Sequence, residues 1–279
     1  MIRKELKLIL STFNIRNTQD RYNERKEFLR KTIQDEHSDI MCLQEVSFLG
    51  DSQVDHLVED DQNKSLYHQY HAESQLKFHI RPGADPESKL DGNTILAKKD
   101  FYDENLIILE DKKIHLSGFR VAHAIKFALK ENPQNNFWVV NTHLHHIVPD
   151  WQIRYHQLQN LHLWLYNITK FQSDNIFICG DFNLTPKEEQ NYKYFTEMGF
   201  KSTHQVVHGL EPVITFPTGL KAPNMDTDPE GCFDYIWFKG SQVTPQNIHI
   251  FGNKHLETDN TIYPSDHMGL SGEFIIKFD

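Results

Sequence analysis

The chain has 279 residues, and 29 Lys and Arg against 39 Asp and Glu leave a formal charge of −10 at pH 7 with His neutral. That excludes a polybasic scavenger of nucleic acid, since such proteins hold phosphates with clustered cations; here an anion has to be met by a local field or by a metal. With 38% hydrophobic and 24% charged residues, the composition is that of a folded globular protein, neither disordered nor membranous.

The N-terminal stretch MIRKELKLILSTFNIR carries charge on both sides of a short apolar run interrupted by Ser11, Thr12 and Asn14. It is too polar for a signal peptide and too short for a membrane span. The three cysteines, Cys42, Cys179 and Cys232, are odd in number and widely spaced, unlike a disulfide framework or a zinc site. These features lead to the expectation of a cytoplasmic or nuclear chain, monomeric, with no membrane span.

In chain order, KLILSTFNI (7–15) reads as a strand and 21–36 as a helix, with Tyr22, Phe28, Leu29 and Ile33 at helical spacing. DIMCLQEV (39–46) has the near-continuous hydrophobicity of a strand buried on both faces. Residues 51–92 are the least readable: an acidic helix candidate at 51–62, a His- and Tyr-rich stretch at 67–80, and the loop RPGADPESKLDG. From Thr94 the texture is all strand, with TILAKKDF, ENLIILED, KKIHLSGF, VAHAIKFALK and NNFWVVNTHL forming an antiparallel meander. A helix is expected at about 150–169, a strand at 175–183 and a helix at 187–200 stopped by Gly199. Residues 201–231 read as a long irregular loop, and the closing strands as 232–240, 247–252 and 268–278. Trp138, Trp164 and Trp237 lie in apolar segments and are expected in the core.

Several polar residues stand where an apolar run finishes: Asn14, Glu45, Asn141 and His143, Asp181 and Asn183, and Asp234. Asp266 and His267 sit together before the last strand. Singly, each Asn or Asp is as readily a turn former or cap. As a set, oxygen donors without cysteine suit a hard cation such as Mg²⁺ or Mn²⁺, and such ions act on phosphoryl oxygens as Lewis acids. The pairs His143/His146 and His204/His208 have turn-like spacing, yet neither brings the intervening Glu or third ligand of a zinc enzyme.

The ordered series Asn14, LQE (43–45), NTHL (141–144), GDFN (180–183), FDYI (233–236) and SDH (265–267) resembles the endonuclease/exonuclease/phosphatase superfamily, and DGNTILAKK (91–99) resembles the same family's D-G-x-x-I strand. That group includes deoxyribonuclease I, apurinic/apyrimidinic endonucleases, deadenylases, neutral sphingomyelinases and inositol polyphosphate 5-phosphatases. The resemblance implies a deoxyribonuclease I-like α/β fold, a four-layer α/β/β/α sandwich of two mixed β-sheets, as one domain over residues 1–279. It also implies a Mg²⁺- or Mn²⁺-dependent phosphoester hydrolase in which a water attacks phosphorus in line.

Carried over by position, the resemblance makes Glu45 a direct metal ligand, with Asn14 and Asp266 ligating directly or through water. Asp181 would orient or deprotonate the water, and Asn183 would donate to the phosphate. His267, oriented by Asp234, and His143 on the other side would serve the phosphoryl oxygens. Some members have an acid two residues after the first Asn, where this chain has Arg16, a candidate phosphate contact or ion-pair partner. The substrate class does not follow from the fold. The negative charge favours a short or single-stranded nucleic acid or a small phosphoester over long duplex DNA. The alternatives are a sphingomyelinase-like or phosphoinositide phosphatase and, less favoured because every catalytic position is filled, an inactive binding module. Loop 201–231, with His204, His208, Phe216, Lys221 and Met225, is the expected substrate lip.

Overall fold

The computed structural model of the protein describes residues 5–49, 53–75, 90–147, 149–169, 175–223, 225 and 228–278. The chain begins with β1 (Glu5–Asn14), α1 (Tyr22–Asp35), β2 (Ile40–Ser47), α2 (Gln53–Val58), β3 (Tyr67–Glu73), β4 (Asp91–Lys98) and α3 (Lys99–Asn105). It continues through β5 (Leu106–Leu116), β6 (Arg120–Leu129), β7 (Asn132–His143), α4 (Trp151–Ile168), β8 (Asn175–Asp181) and α5 (Glu189–Glu197). The last elements are β9 (Lys201–Ser202), α6 (Thr203–His208), β10 (Asp234–Lys239), β11 (Val243–Phe251) and β12 (Gly269–Lys277).

The strands form two six-stranded sheets, ordered β11-β12-β1-β2-β4-β3 and β5-β6-β7-β8-β10-β9. Each sheet is antiparallel except for one central parallel pair, β1 with β2 and β7 with β8. A parallel pair needs a long crossover, which α1 and α4 supply on the outer faces. Leu6, Leu8, Leu10, Ile40 and Ile95 of the first sheet meet Ile125, Phe127, Phe137, Val139 and Phe177 of the second in the central core. Leu29 and Ile33 of α1 and Val54 and Leu57 of α2 cover the first sheet's outer face, packing on Phe13, Met41 and Leu43. Leu158, Leu161 and Leu165 of α4 and Phe195 of α5 cover the second, over Trp138, Ile176 and Trp237. The layers are therefore helix, sheet, sheet, helix, the expected α/β/β/α sandwich. Trp138 and Trp237 are fully buried, and Trp164 packs against the same outer core.

Three segments differ from the sequence-based expectation. The expected strand TILAKKDF stops at Lys98, and its end, the expected turn and the first two residues of ENLIILED form α3: from Lys98 to Asn105 there is no β-branched residue, and Phe101 and Tyr102 reach the central core from a helix. ENLIILED and KKIHLSGF, expected as two strands, are the single strand β5 with a bulge between Ile108 and Glu110. Their charged junction is not a turn; β5 is the sheet's edge, where charged side chains face solvent and deter a further partner. Part of the expected 201–231 loop is ordered as β9 and α6. The His- and Tyr-rich stretch is β3 as far as Glu73, and its residues 76–80, like 51–52 and most of RPGADPESKLDG, lie outside the described residues.

Candidate active site

The carboxyl ends of both parallel pairs point to the same edge of the sandwich. Asn14 ends β1 and Glu45 lies near the end of β2, while His143 ends β7 and Asp181 ends β8. Antiparallel neighbours bring their amino ends to the same edge: Asp234 opens β10 directly opposite Asp181, and Asp266 and His267 precede β12. The sequence places these residues up to 253 positions apart, and the two mixed sheets gather them.

Local backbone aims them. A bulge in β2 between Leu43 and Val46 takes Glu45 out of the ladder with a left-handed φ of 54°, a device that re-aims a side chain. Gly180 must be glycine because a Cβ there would strike the Thr142 carbonyl oxygen across the parallel pair. Asn141 does not line the pocket. It accepts from Gln44 Nε2 at 2.8 Å and donates to the Leu43 and Thr94 carbonyls at 2.9 and 3.0 Å, tying one sheet to the other behind the site.

One carboxylate oxygen, Asp181 Oδ2, is the focus. Asn14 Nδ2 donates to it at 3.0 Å, and His143 Nε2 and His267 Nε2 lie 3.5 and 3.6 Å away. Its other oxygen accepts from the Asn183 backbone N–H at 2.9 Å, while Asn183 Nδ2 donates to the Leu144 carbonyl at 3.1 Å. His267 Nδ1 meets Asp234 Oδ2 at 3.0 Å, the pairing expected from the sequence. Burial, together with the Asp234 charge and against the opposing pull of His267, pushes the Asp181 carboxyl up to about 7. Burial works against charge on His267 as well, but Asp234 and then Asp181 overcome it and push the imidazole up to about 10. The site therefore holds an imidazolium beside a carboxyl poised near neutrality.

Arg16, Glu45, His143, His146, Asp181, Asn183, Phe216, Asp228, Phe233 and His267 line an open cleft. Asn14, Asp234 and Asp266 are fully buried beneath it. Asn14 turns its amide toward the two carboxylates, donating also to Glu45 Oε1 at 3.3 Å, and accepts from the Arg16 N–H at 3.0 Å. Asp266 stands behind Arg16, whose Nε lies 3.4 Å from Asp266 Oδ2 and 2.7 Å from Asp20. Arg16 is thus both an ion-pair partner and a wall of the cleft. Of the expected lip, Phe216 lines the cleft with its ring 4.8 Å from that of His267. His204 and His208 do not: their rings lie 4.5 Å apart, and each is tied to a backbone carbonyl, of Leu210 and Ile248.

Sequence reading missed Arg120, Asp228 and Phe233. Arg120 opens β6 and reaches His143 Nδ1 at 3.0 Å and His146 Nδ1 at 3.3 Å. It followed a glycine-containing turn, SGF, and nothing in the linear pattern marked it as different from a surface arginine.

Two groups of side chains suit a metal. Asp181, Asp234 and His267 carry ligand atoms within 4.8 Å of one another and could hold an ion. Two of those three are already hydrogen-bonded to each other, which favours the Glu45 end for a hard cation. There the donors are carboxylate oxygens, and Asp266 Oδ2, buried beside the Arg16 guanidinium, accepts no hydrogen bond from the described residues. The three free cysteines are all buried and none lines the cleft.

The same architecture recurs in known proteins. The CCR4-Not complex 3'-5'-exoribonuclease subunit Ccr4 of Kluyveromyces lactis is 22% identical over 305 residues, which take in 91% of this chain and 37% of that protein; the chain spans little more than a third of the relative's length. The human Nocturnin catalytic domain, solved with a bound sulfate anion, matches with a TM-score of 0.72 and 22% identity over 96% of this chain and 94% of the other. D. rerio TDP2 complexed with a single-strand DNA product matches with a TM-score of 0.69 and 18% identity over 96% and 98%. These structures share the fold. The model of the Endonuclease/Exonuclease/phosphatase family matches residues 11–267, nearly the whole chain, and this protein belongs to that family, whose members hydrolyse phosphoester bonds.

Proposed function

We propose that this protein is a Mg²⁺- or Mn²⁺-dependent phosphodiesterase acting on single-stranded nucleic acid, with water as the attacking group. The observation that carries the reading is the convergence on Asp181 Oδ2 of two imidazoles and an amide at the floor of a cleft that, among the described residues, is lined by no hydroxyl or thiol. A bound divalent ion supplies Lewis-acid polarisation of the phosphoryl oxygens. Glu45 would hold it directly, with Asn14 and Asp266 completing the oxygen-rich end directly or through water.

The protein's own groups do the rest. Asp181, held near neutrality, takes the proton from the attacking water as a general base. His267, kept charged by Asp234, donates to a phosphoryl oxygen as negative charge grows there. His143 and Asn183 donate from the opposite wall. Phe216, packed between Phe233 and His267, borders the cleft with an aromatic side chain that suits a base-bearing substrate. The net charge of −10 disfavours long duplex, and the relatives named for exoribonuclease activity or bound to single-strand DNA support the substrate class.

Single-stranded RNA and DNA oligonucleotides, sphingomyelin and inositol phosphates should be assayed side by side with Mg²⁺, with EDTA, and after metal is restored. Cleavage of an oligonucleotide, abolished by EDTA and restored by Mg²⁺ or Mn²⁺, is expected. Full turnover without metal overturns the mechanism, and cleavage of a lipid or inositol substrate alone overturns the substrate class.

A further inference from the structure

Three imidazoles line the cleft, and they are held in two different ways. His267 faces a carboxylate through Nδ1, so that nitrogen carries a proton and the ring is stabilised as a cation. His143 and His146 instead face a guanidinium. Arg120 Nη1 lies 3.0 Å from His143 Nδ1 and Nη2 lies 3.3 Å from His146 Nδ1. A guanidinium has donors only, so both imidazoles must accept at Nδ1. Their single ring proton is then on Nε2. For His143 that nitrogen is the one 3.5 Å from Asp181 Oδ2.

The frame around Arg120 is fixed. It is buried at the start of β6, immediately after the hairpin tip. Gln157 of α4 pins that tip by donating to the Ser117 carbonyl at 2.5 Å and accepting from the His145 N–H at 2.8 Å. One side chain thereby locks the β5–β6 hairpin to the segment that follows β7, which carries His146 and begins directly after His143. Arg120 spans the same joint with its guanidinium.

We infer that Arg120 is a positioning residue that fixes His143 and His146 as neutral Nε2–H donors, so that this wall of the cleft binds anionic phosphoryl oxygens by hydrogen bonding and takes no part in proton transfer. A cation against Nδ1 opposes a second proton on either ring, and its hydrogen bonds remove the other tautomer. Proton exchange is left to Asp181, the neighbour of His143 across the β7–β8 pair, and to the carboxylate-held His267 on the far side of that carboxylate. This division of labour rests on the phosphodiesterase reading. The tautomers themselves do not.

The test is a long-range ¹⁵N–¹H NMR spectrum of the histidine rings of the full chain at neutral pH, assigned with His143→Gln and His146→Gln. Both rings are expected to show the Nε2–H signature, unlike His267, whose Nδ1 faces the Asp234 carboxylate and should carry a proton. In Arg120→Met, which removes the donors and keeps much of the volume, the His143 and His146 signals should shift toward a mixture of tautomers. Turnover on an oligonucleotide should fall by about 10- to 100-fold with KM changed far less. A wild-type His143 protonated on Nδ1 overturns the inference, as does an Arg120→Met protein whose ring signals and turnover match wild type. If the variant does not fold, the wild-type spectrum still decides the assignment. The expected ring signatures in a protein that cleaves no phosphoester would refute the functional reading while leaving the tautomers standing.

Discussion

The two parallel units, β1–α1–β2 and β7–α4–β8, are built alike and finish differently. In each, the fourth residue of the crossover helix is a fully buried arginine that clasps the loop leaving the first strand. Arg25 donates to the carbonyls of Ile15, Arg16, Asn17, Gln19, Asp20 and Pro264. Arg154 donates to those of His145 and Ile147 and pairs with the Glu188 carboxylate at 2.5 Å. The first unit ends in oxygen donors, Asn14 and Glu45, and the second in His143 and Asp181. The shared clasp ties down a strand-end loop, and the tips differ: Asn14 and Glu45 form the proposed cation end on one sheet, and Asp181 and His143, the proposed base and phosphoryl-oxygen donor, stand at the end of the other.

The strongest way to break this contrast is beside Asp181. His267→Ala should lower turnover by ~100- to 1000-fold, the usual effect of losing one preorganised donor. Asp234→Asn should lose much of the same activity, and the double variant should be little worse than His267→Ala alone, because the pair acts as a unit. Melting temperature and turnover measured together separate this from a stability effect. A folded Asp234→Asn protein at wild-type rate, or cleanly additive losses, would defeat the pairing.

The arginine clasps come next. Burial pushes Arg25 down to about 10, and its hydrogen bonds are all to carbonyls. Arg25→Lys, with three donors for six carbonyls, should destabilise the protein by about 3 kcal/mol, since buried acceptors left unmatched are costly. Arg154→Lys keeps its pairing with Glu188 and should lose less. Denaturant midpoints of the two variants compare the clasps directly, and equal losses would show that the carboxylate in the second unit contributes nothing.

At the cation end, Glu45→Gln removes a full negative charge and should weaken Mg²⁺ or Mn²⁺ binding by roughly 10- to 100-fold, read by calorimetry. Asn183→Ala, on the other unit, should lower turnover with metal affinity little changed. Unaltered affinity in Glu45→Gln would refute its assignment as a ligand.

The smallest effect lies at the opposite end of the first unit. Burial, opposed by the Ile9 N–H and Lys98, pushes Asp39 up to about 6. Its folded pKa is above the unfolded 3.8, so the folded state binds the extra proton. Stability from this group is present below about pH 4 and is lost as the pH rises toward 6, by on the order of 1 to 2 kcal/mol. Asp39→Asn should flatten that decline relative to wild type in unfolding curves between pH 4 and 7. A wild-type and variant difference constant across that range would remove the claim.

The sequence by itself determined the family, the alternation that builds the strands, and the polar tips Asn14, Glu45, His143, Asp181, Asn183, Asp234 and His267. Such residues are legible because each interrupts an apolar run at a fixed place in a short motif, and a rigid strand end is where a side chain can be presented. Only the tertiary structure decided which of them face the cleft and which lie beneath it, as Asn14 and Asp266 do. It also decided that KDFYDEN is helical, where the linear pattern reads as two strand ends and a turn, because Phe101 and Tyr102 pack on the central core from one helical face. Arg120, Arg25 and Arg154 carry no linear signal, since a buried arginine and a solvated one look the same in a sequence. What separates them is whether distant carbonyls or imidazole nitrogens converge on the guanidinium, and that depends on how the two sheets and their crossover helices pack.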